Sequence, residues 1–149
     1  FGNVLLKEFS TRSKKEGDRL LLLSSSFILL ICLFIALLIW YFSFETVALF
    51  FERGKFSIKE TEMVVPLLKI YAFTIPFYVL KYVFGVYLAS RKASRRLLII
   101  SVLSLCSNVV FNYLFIKQFG ISGIALSTVV SFLLVSLLSV YYSKQVSIE

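Results

Sequence analysis

Residues 20–44 contain no Asp, Glu, Lys or Arg, and no other feature constrains the fold of this chain as strongly. At 1.5 Å per residue an α-helix of that length reaches about 37 Å, more than the ~30 Å hydrocarbon core of a bilayer, so it spans with a tilt. Residues 97–116 and 121–143 are two further uncharged runs of spanning length. A fourth apolar stretch, 63–90, is interrupted by Lys69 and Lys81 and carries both prolines, Pro66 and Pro76. A soluble helical protein would show a wide polar stripe on each helix, whereas these runs are apolar all round. Unbroken runs beyond about 18 residues also favour helices over the alternating pattern of a barrel. The expected fold class is therefore all-α and integral to the membrane, with four transmembrane helices in a single membrane domain.

Composition narrows the function classes. The chain is 59% hydrophobic with a mean hydropathy of +0.91, well above the apolar content of an ordinary soluble domain. Its net charge of +8 comes from sixteen Lys and Arg residues set in short clusters between the apolar runs. That is the pattern of basic loops beside membrane spans, not of one nucleic-acid-binding face, so no nucleic-acid partner is expected. The chain has no His, which removes the commonest general base and the commonest metal ligand. Cys32 and Cys106 each lie within an apolar run and read as small hydrophobes. There is no phosphate-binding Gly-rich loop, no nucleophile beside a base and no metal-ligand cluster, so neither an enzyme nor a cofactor or metal is expected.

Basic residues set the orientation. Lys7, Arg12, Lys14, Lys15 and Arg19 precede the first span, and Arg91, Lys92, Arg95 and Arg96 separate the second from the third with no acid among them. The positive-inside rule places both groups in the cytoplasm, with 52–62 and 117–120 outside. Residues 1–19 read as the tail of a preceding helix followed by the first cytoplasmic loop. The chain opens on Phe1 rather than Met, and a fragment of a longer protein is expected.

Lys81 lies well inside the second span, where a charge costs at least about 2.5–3.5 kcal/mol unless it pairs, snorkels or faces water. A cation facing a cavity and a stem reaching the interface both satisfy that requirement, and the sequence leaves both open. Lys69, nearer the outer end, is expected to snorkel. Pro76 removes a helical hydrogen bond and is expected to kink the second span, and Gly85 offers a place for close approach; both are hinge or packing candidates. Asn108 and Asn112 share one face of the third span with Ser101, Ser104 and Ser107 nearby, a set suited to interhelical hydrogen bonds or to substrate contact. Gly123, Ser127 and Ser131, at four-residue intervals, read as a small-residue packing row. No carboxylate lies mid-span, so the residues offer no proton or sodium relay within this segment.

Leu49-Phe50-Phe51-Glu52-Arg53-Gly54-Lys55-Phe56-Ser57 resembles the "LF-x-x-G-x-F-[ST]" loop of the MurJ/MviN lipid II flippases, a branch of the superfamily that holds MATE exporters and polysaccharide flippases. Phe51, Gly54 and Phe56 carry that signature. Tyr71-Ala72-Phe73, Leu80-Lys81-Tyr82-Val83 and Tyr87-Leu88-Ala89 resemble the family's next helix, and Asn108-Val109-Val110-Phe111-Asn112 with Phe119-Gly120-Ile121-Ser122-Gly123-Ile124-Ala125 resembles its "N-hydrophobic-N…G-x-x-G-x-A" helix pair. Leu5-Leu6-Lys7-Glu8-Phe9-Ser10 corresponds to "LLP-x-[LF]-S", with Lys7 in place of the proline.

The resemblance covers nearly the whole chain. It implies the end of the eighth helix and the ninth to twelfth helices of a fourteen-helix, two-lobe transporter in the bacterial cytoplasmic membrane. The implied activity is alternating-access translocation of an undecaprenyl-pyrophosphate-linked peptidoglycan precursor. The implied partners are that lipid-linked sugar pyrophosphate and membrane lipids, with ion or membrane-potential coupling. The family's cationic pyrophosphate ligands lie on helices before Phe1, so none is carried over to this chain; Lys81, Asn108 and Asn112, read from their places within the spans, are the substrate-cavity candidates. A polysaccharide-unit flippase or MATE-type exporter is the rival within transporters, and a non-transporting membrane assembly subunit the rival outside them.

Overall fold

The computed structural model describes residues 2–51 and 58–148. Among these residues the chain is α-helical throughout: α1 (Gly2–Thr11), α2 (Lys14–Tyr41), α3 (Ser43–Phe51), α4 (Ile58–Ala72), α5 (Thr74–Ser90), α6 (Ser94–Phe119) and α7 (Ile121–Ile148). Four stretches are long and apolar enough to cross a membrane, Lys14–Tyr41, Ile58–Ser90, Ser94–Phe119 and Ile121–Ser147.

Local chemistry explains each boundary. Ser13 caps α2 in a reciprocal box, its Oγ accepting from the Glu16 amide while the Glu16 carboxylate accepts from the Ser13 amide. Such a cap stabilises a helix start by about 1 kcal/mol. It draws the segment from Lys14 onward, read from sequence as loop, into the first turns of α2. Within the second span the helix breaks at Phe73, three residues before Pro76. Pro76 has no amide to offer Ala72, the residue four before it, and its ring crowds that carbonyl. α4 continues unbroken past Pro66.

The α5–α6 connection is a Schellman turn in which the Ala93 amide donates to Leu88 and the Lys92 amide to Ala89. Lys92 holds the left-handed position at φ 55°, normally a glycine site, at a cost of about 1 kcal/mol. The α6–α7 turn is tighter. Gly120, at φ 58° and ψ −137°, alone separates the helices, so α6 runs to Phe119 and the expected four-residue turn shrinks to one residue.

α7 is the centre of the bundle, packed against α6, α5 and α4, while α2 and α1 cover α5. Along α7 the positions 123, 127, 131, 135, 139 and 143 are all buried, extending the small-residue row seen in the sequence over the length of the helix. Its close approach is greatest at Gly123, where a Cβ would collide with the Phe115 carbonyl of α6. Gly85 does not make the close approach expected of it: a Cβ there would meet only Leu97 Cδ2 at 3.9 Å. α6 buries only Ile100 and exposes most of its apolar surface to lipid or further helices.

Candidate functional site

Lys81 lies nine residues before the end of α5 at Ser90, about 14 Å along the helix and well inside the span Ile58–Ser90. Its ammonium meets side chains of two other helices. Nζ donates to Ser104 Oγ of α6 at 3.3 Å and stands 5.3 Å from the centre of the Phe132 ring of α7. Tyr78, one turn before Lys81, meets the same ring edge to face, which fixes the position of Phe132.

Lys81, Ser104 and Phe132 line a groove of about 400 Å³ completed by Ser101, Leu105, Asn108 and Ser131. The α6 contribution follows from helical spacing: Ser101, Ser104 and Asn108 lie three and four residues apart and so share one face. The Ser131 hydroxyl is buried without a hydrogen-bond partner, an expensive state in an apolar surrounding. Ser131 was expected to serve packing alone, and the structure gives it a second place on the wall of the groove. A row of four-residue spacing identifies a face but not what that face meets. On its other side Lys81 also borders a groove of about 350 Å³ with Tyr78, Tyr82 and Gly85.

The two asparagines divide their roles. Asn112 Nδ2 donates to Asn108 Oδ1 at 2.9 Å, and the Ser127 hydroxyl donates to Asn112 Oδ1. Asn112 and Ser127 therefore bind α6 to α7 just beyond the groove, while Asn108 connects that bond to the groove itself. Lys69 is separate from this cluster, its ammonium 5.2 Å from the centre of the Trp40 ring. Pro76 is buried at the start of α5. Phe51 ends α3 with its ring exposed, and Gly54 and Phe56 lie outside the described residues.

A second polar cluster joins the other ends of the helices. The Asp18 carboxylate of α2 accepts from the Tyr87 hydroxyl of α5 and the Ser147 hydroxyl of α7. Tyr87 is fully buried and meets Phe9 of α1 edge to face. Arg91 lies over the opposite part of the same ring, 5.4 Å from its centre, and its Nη2 reaches the Ser13 carbonyl at 3.5 Å. This clasp brings the two basic segments, around the start of α2 and after α5, to one end of the bundle. Sequence reading missed it. The only available signal was a lone Asp amid cations, which by itself names no partner.

The chain matches the family described as lipid II flippase MurJ over residues 1–149. It belongs to the MurJ family. No curated protein and no solved structure matches it. A MurJ family chain is a membrane transport protein for lipid II, and the four apolar helices agree with a multi-pass position in the membrane. The Lys81 ammonium and the neighbouring hydroxyl and amide groups of the groove can bind anionic, oxygen-rich groups.

Proposed function

We propose that these helices form a wall of the second lobe of an alternating-access lipid II flippase in the bacterial cytoplasmic membrane. In this reading the Lys81 groove faces the translocation cavity. The observation that carries it is Lys81 itself, held well inside its span against Ser104 and Phe132 of the neighbouring helices. The cost of placing a cation there is offset only in part by one neutral hydroxyl and one aromatic ring. The unpartnered Ser131 hydroxyl supports the same assignment. A passing pyrophosphate would supply the missing acceptors, with Asn108 adding a neutral donor. Rocking of the two lobes about this level would then move the headgroup outward, driven by an ion or by the membrane potential. The chain acts as a transporter and not as an enzyme.

The test is to replace the host's copy of the protein with Lys81→Ala or Lys69→Ala and measure lipid II retained on the inner leaflet. Losing a charge-assisted contact of about 1.5–3 kcal/mol predicts roughly tenfold or greater loss of export for Lys81→Ala. Lys69→Ala should export like the parent. Equal, undiminished export by both variants would remove Lys81 from the cavity. Retention of a different lipid-linked precursor on depletion of the protein would overturn the substrate.

A further inference from the structure

We propose that the α5–α6 turn and the last turns of α7 form a second site, which holds the headgroup of an anionic phospholipid from the surrounding bilayer. Arg91, Lys92, Arg95 and Arg96 line a cleft of about 490 Å³ there. Its floor is apolar, with Ile99 and Val146, and Tyr142 closes one side. No carboxylate lines it among the described residues. The cleft lies at the ends of the spans Ile58–Ser90 and Ser94–Phe119, the level at which lipid phosphates meet basic side chains.

Two observations separate this cleft from an ordinary basic loop. Lys92 occupies a left-handed position at φ 55°, where glycine would be less strained and the chain instead keeps a cation. Below Arg95, at helical spacing on the same face of α6, Leu98 and Val102 are 65% and 52% exposed, forming an apolar strip that runs from the cations into the membrane. Cations at the interface above such a strip match an amphiphile with a phosphate head and acyl tails. A soluble anion has no use for the strip, and an acidic protein segment would not follow it into the hydrocarbon. This site is separate from the Lys81 groove and requires only that the chain span a membrane.

The experiment uses the full-length protein as its host makes it, reconstituted in nanodiscs of phosphatidylcholine with a minor fraction of labelled phosphatidylglycerol. Enrichment of the labelled lipid at the protein is read by energy transfer from a donor dye placed near α7. Both faces of a nanodisc carry the same lipid, so the result does not depend on which face is cytoplasmic. The expected result is selective enrichment that falls about fivefold with Lys92→Gly and again with Arg95→Ala, in line with the usual contribution of a basic residue near an anionic surface. Lys92→Gly also relieves the left-handed strain, so its unfolding temperature should hold or rise, which separates lost lipid binding from lost folding. Lys14→Ala and Lys15→Ala, outside the cleft, should leave enrichment unchanged. The proposal falls if Lys92→Gly and Arg95→Ala enrich the lipid like the parent, or if Lys14→Ala and Lys15→Ala reduce it as much. It also falls if millimolar inorganic phosphate displaces the lipid completely, since the cleft would then read a free anion.

Discussion

At Gly123 a hydrogen atom is all that fits between two backbones, because a Cβ there would strike the Phe115 carbonyl, which no rotamer change can move. Gly123→Ala is therefore expected to destabilise the bundle by about 1–3 kcal/mol, the usual cost of overpacking. Gly85→Ala should be neutral or stabilising by up to about 1 kcal/mol, since the added methyl finds ordinary contact with Leu97 and the helix loses a flexible residue. Thermal unfolding of the two variants in one detergent separates them, and similar midpoints would refute this account of the α6–α7 contact. The two glycines look alike in the sequence, each inside an apolar run. Asn108 and Asn112 were more legible, because their spacing alone puts them on one face. Which of them holds the helices together depended on the partner Ser127, seven residues into the next helix.

Among the elements, the Asp18 clasp determines how the ends of α2, α5 and α7 meet. One carboxylate accepts from two hydroxyls on different helices, so removing either donor leaves the acid partly unsatisfied. Tyr87→Phe and Ser147→Ala are each expected to lower stability by about 1–3 kcal/mol. Because they share Asp18, the double variant should depart from additivity by at least about 0.5 kcal/mol. Strict additivity in a double-mutant cycle of unfolding free energies would mean that the two hydroxyls do not share one acceptor. The break in the second span shows how far an element can be read in advance. Pro76 made an interruption foreseeable, while its location at Phe73 follows from the carbonyl that the proline leaves without a donor.

For the whole molecule, the clasp and the Arg91 contact with Ser13 bring the segments around Lys14 and Arg95 to the same end of the bundle, and Gly120 lies at the far end of α6. Single cysteines at Lys92 and Gln118, in a background lacking Cys32 and Cys106, should therefore be labelled from opposite sides of the membrane. Reagent added outside intact cells is expected to reach Gln118→Cys and to spare Lys92→Cys. Labelling of both from outside would contradict the antiparallel course of α6, and the reverse pattern would invert the assigned orientation. The exposed apolar face of α6 belongs to this scale as well. With only Ile100 buried, that helix needs lipid or further helices around it.

The sequence by itself determined that this chain is helical and lives in a membrane, because uncharged runs of spanning length have no stable alternative in water or as open strands. It also determined the family, through motifs whose order and spacing persist along the chain. Only the tertiary structure decided where the polar groups go. A Lys in the second span can snorkel or cross to a neighbour, and the choice depends on Ser104 and Phe132 arriving from other helices. A serine row can pack or line a groove, and Ser131 does both, buried on α7 yet on the wall beside Lys81 and Ser104. Such outcomes rest on contacts between residues far apart in the chain, and periodicity along a single helix carries no record of them.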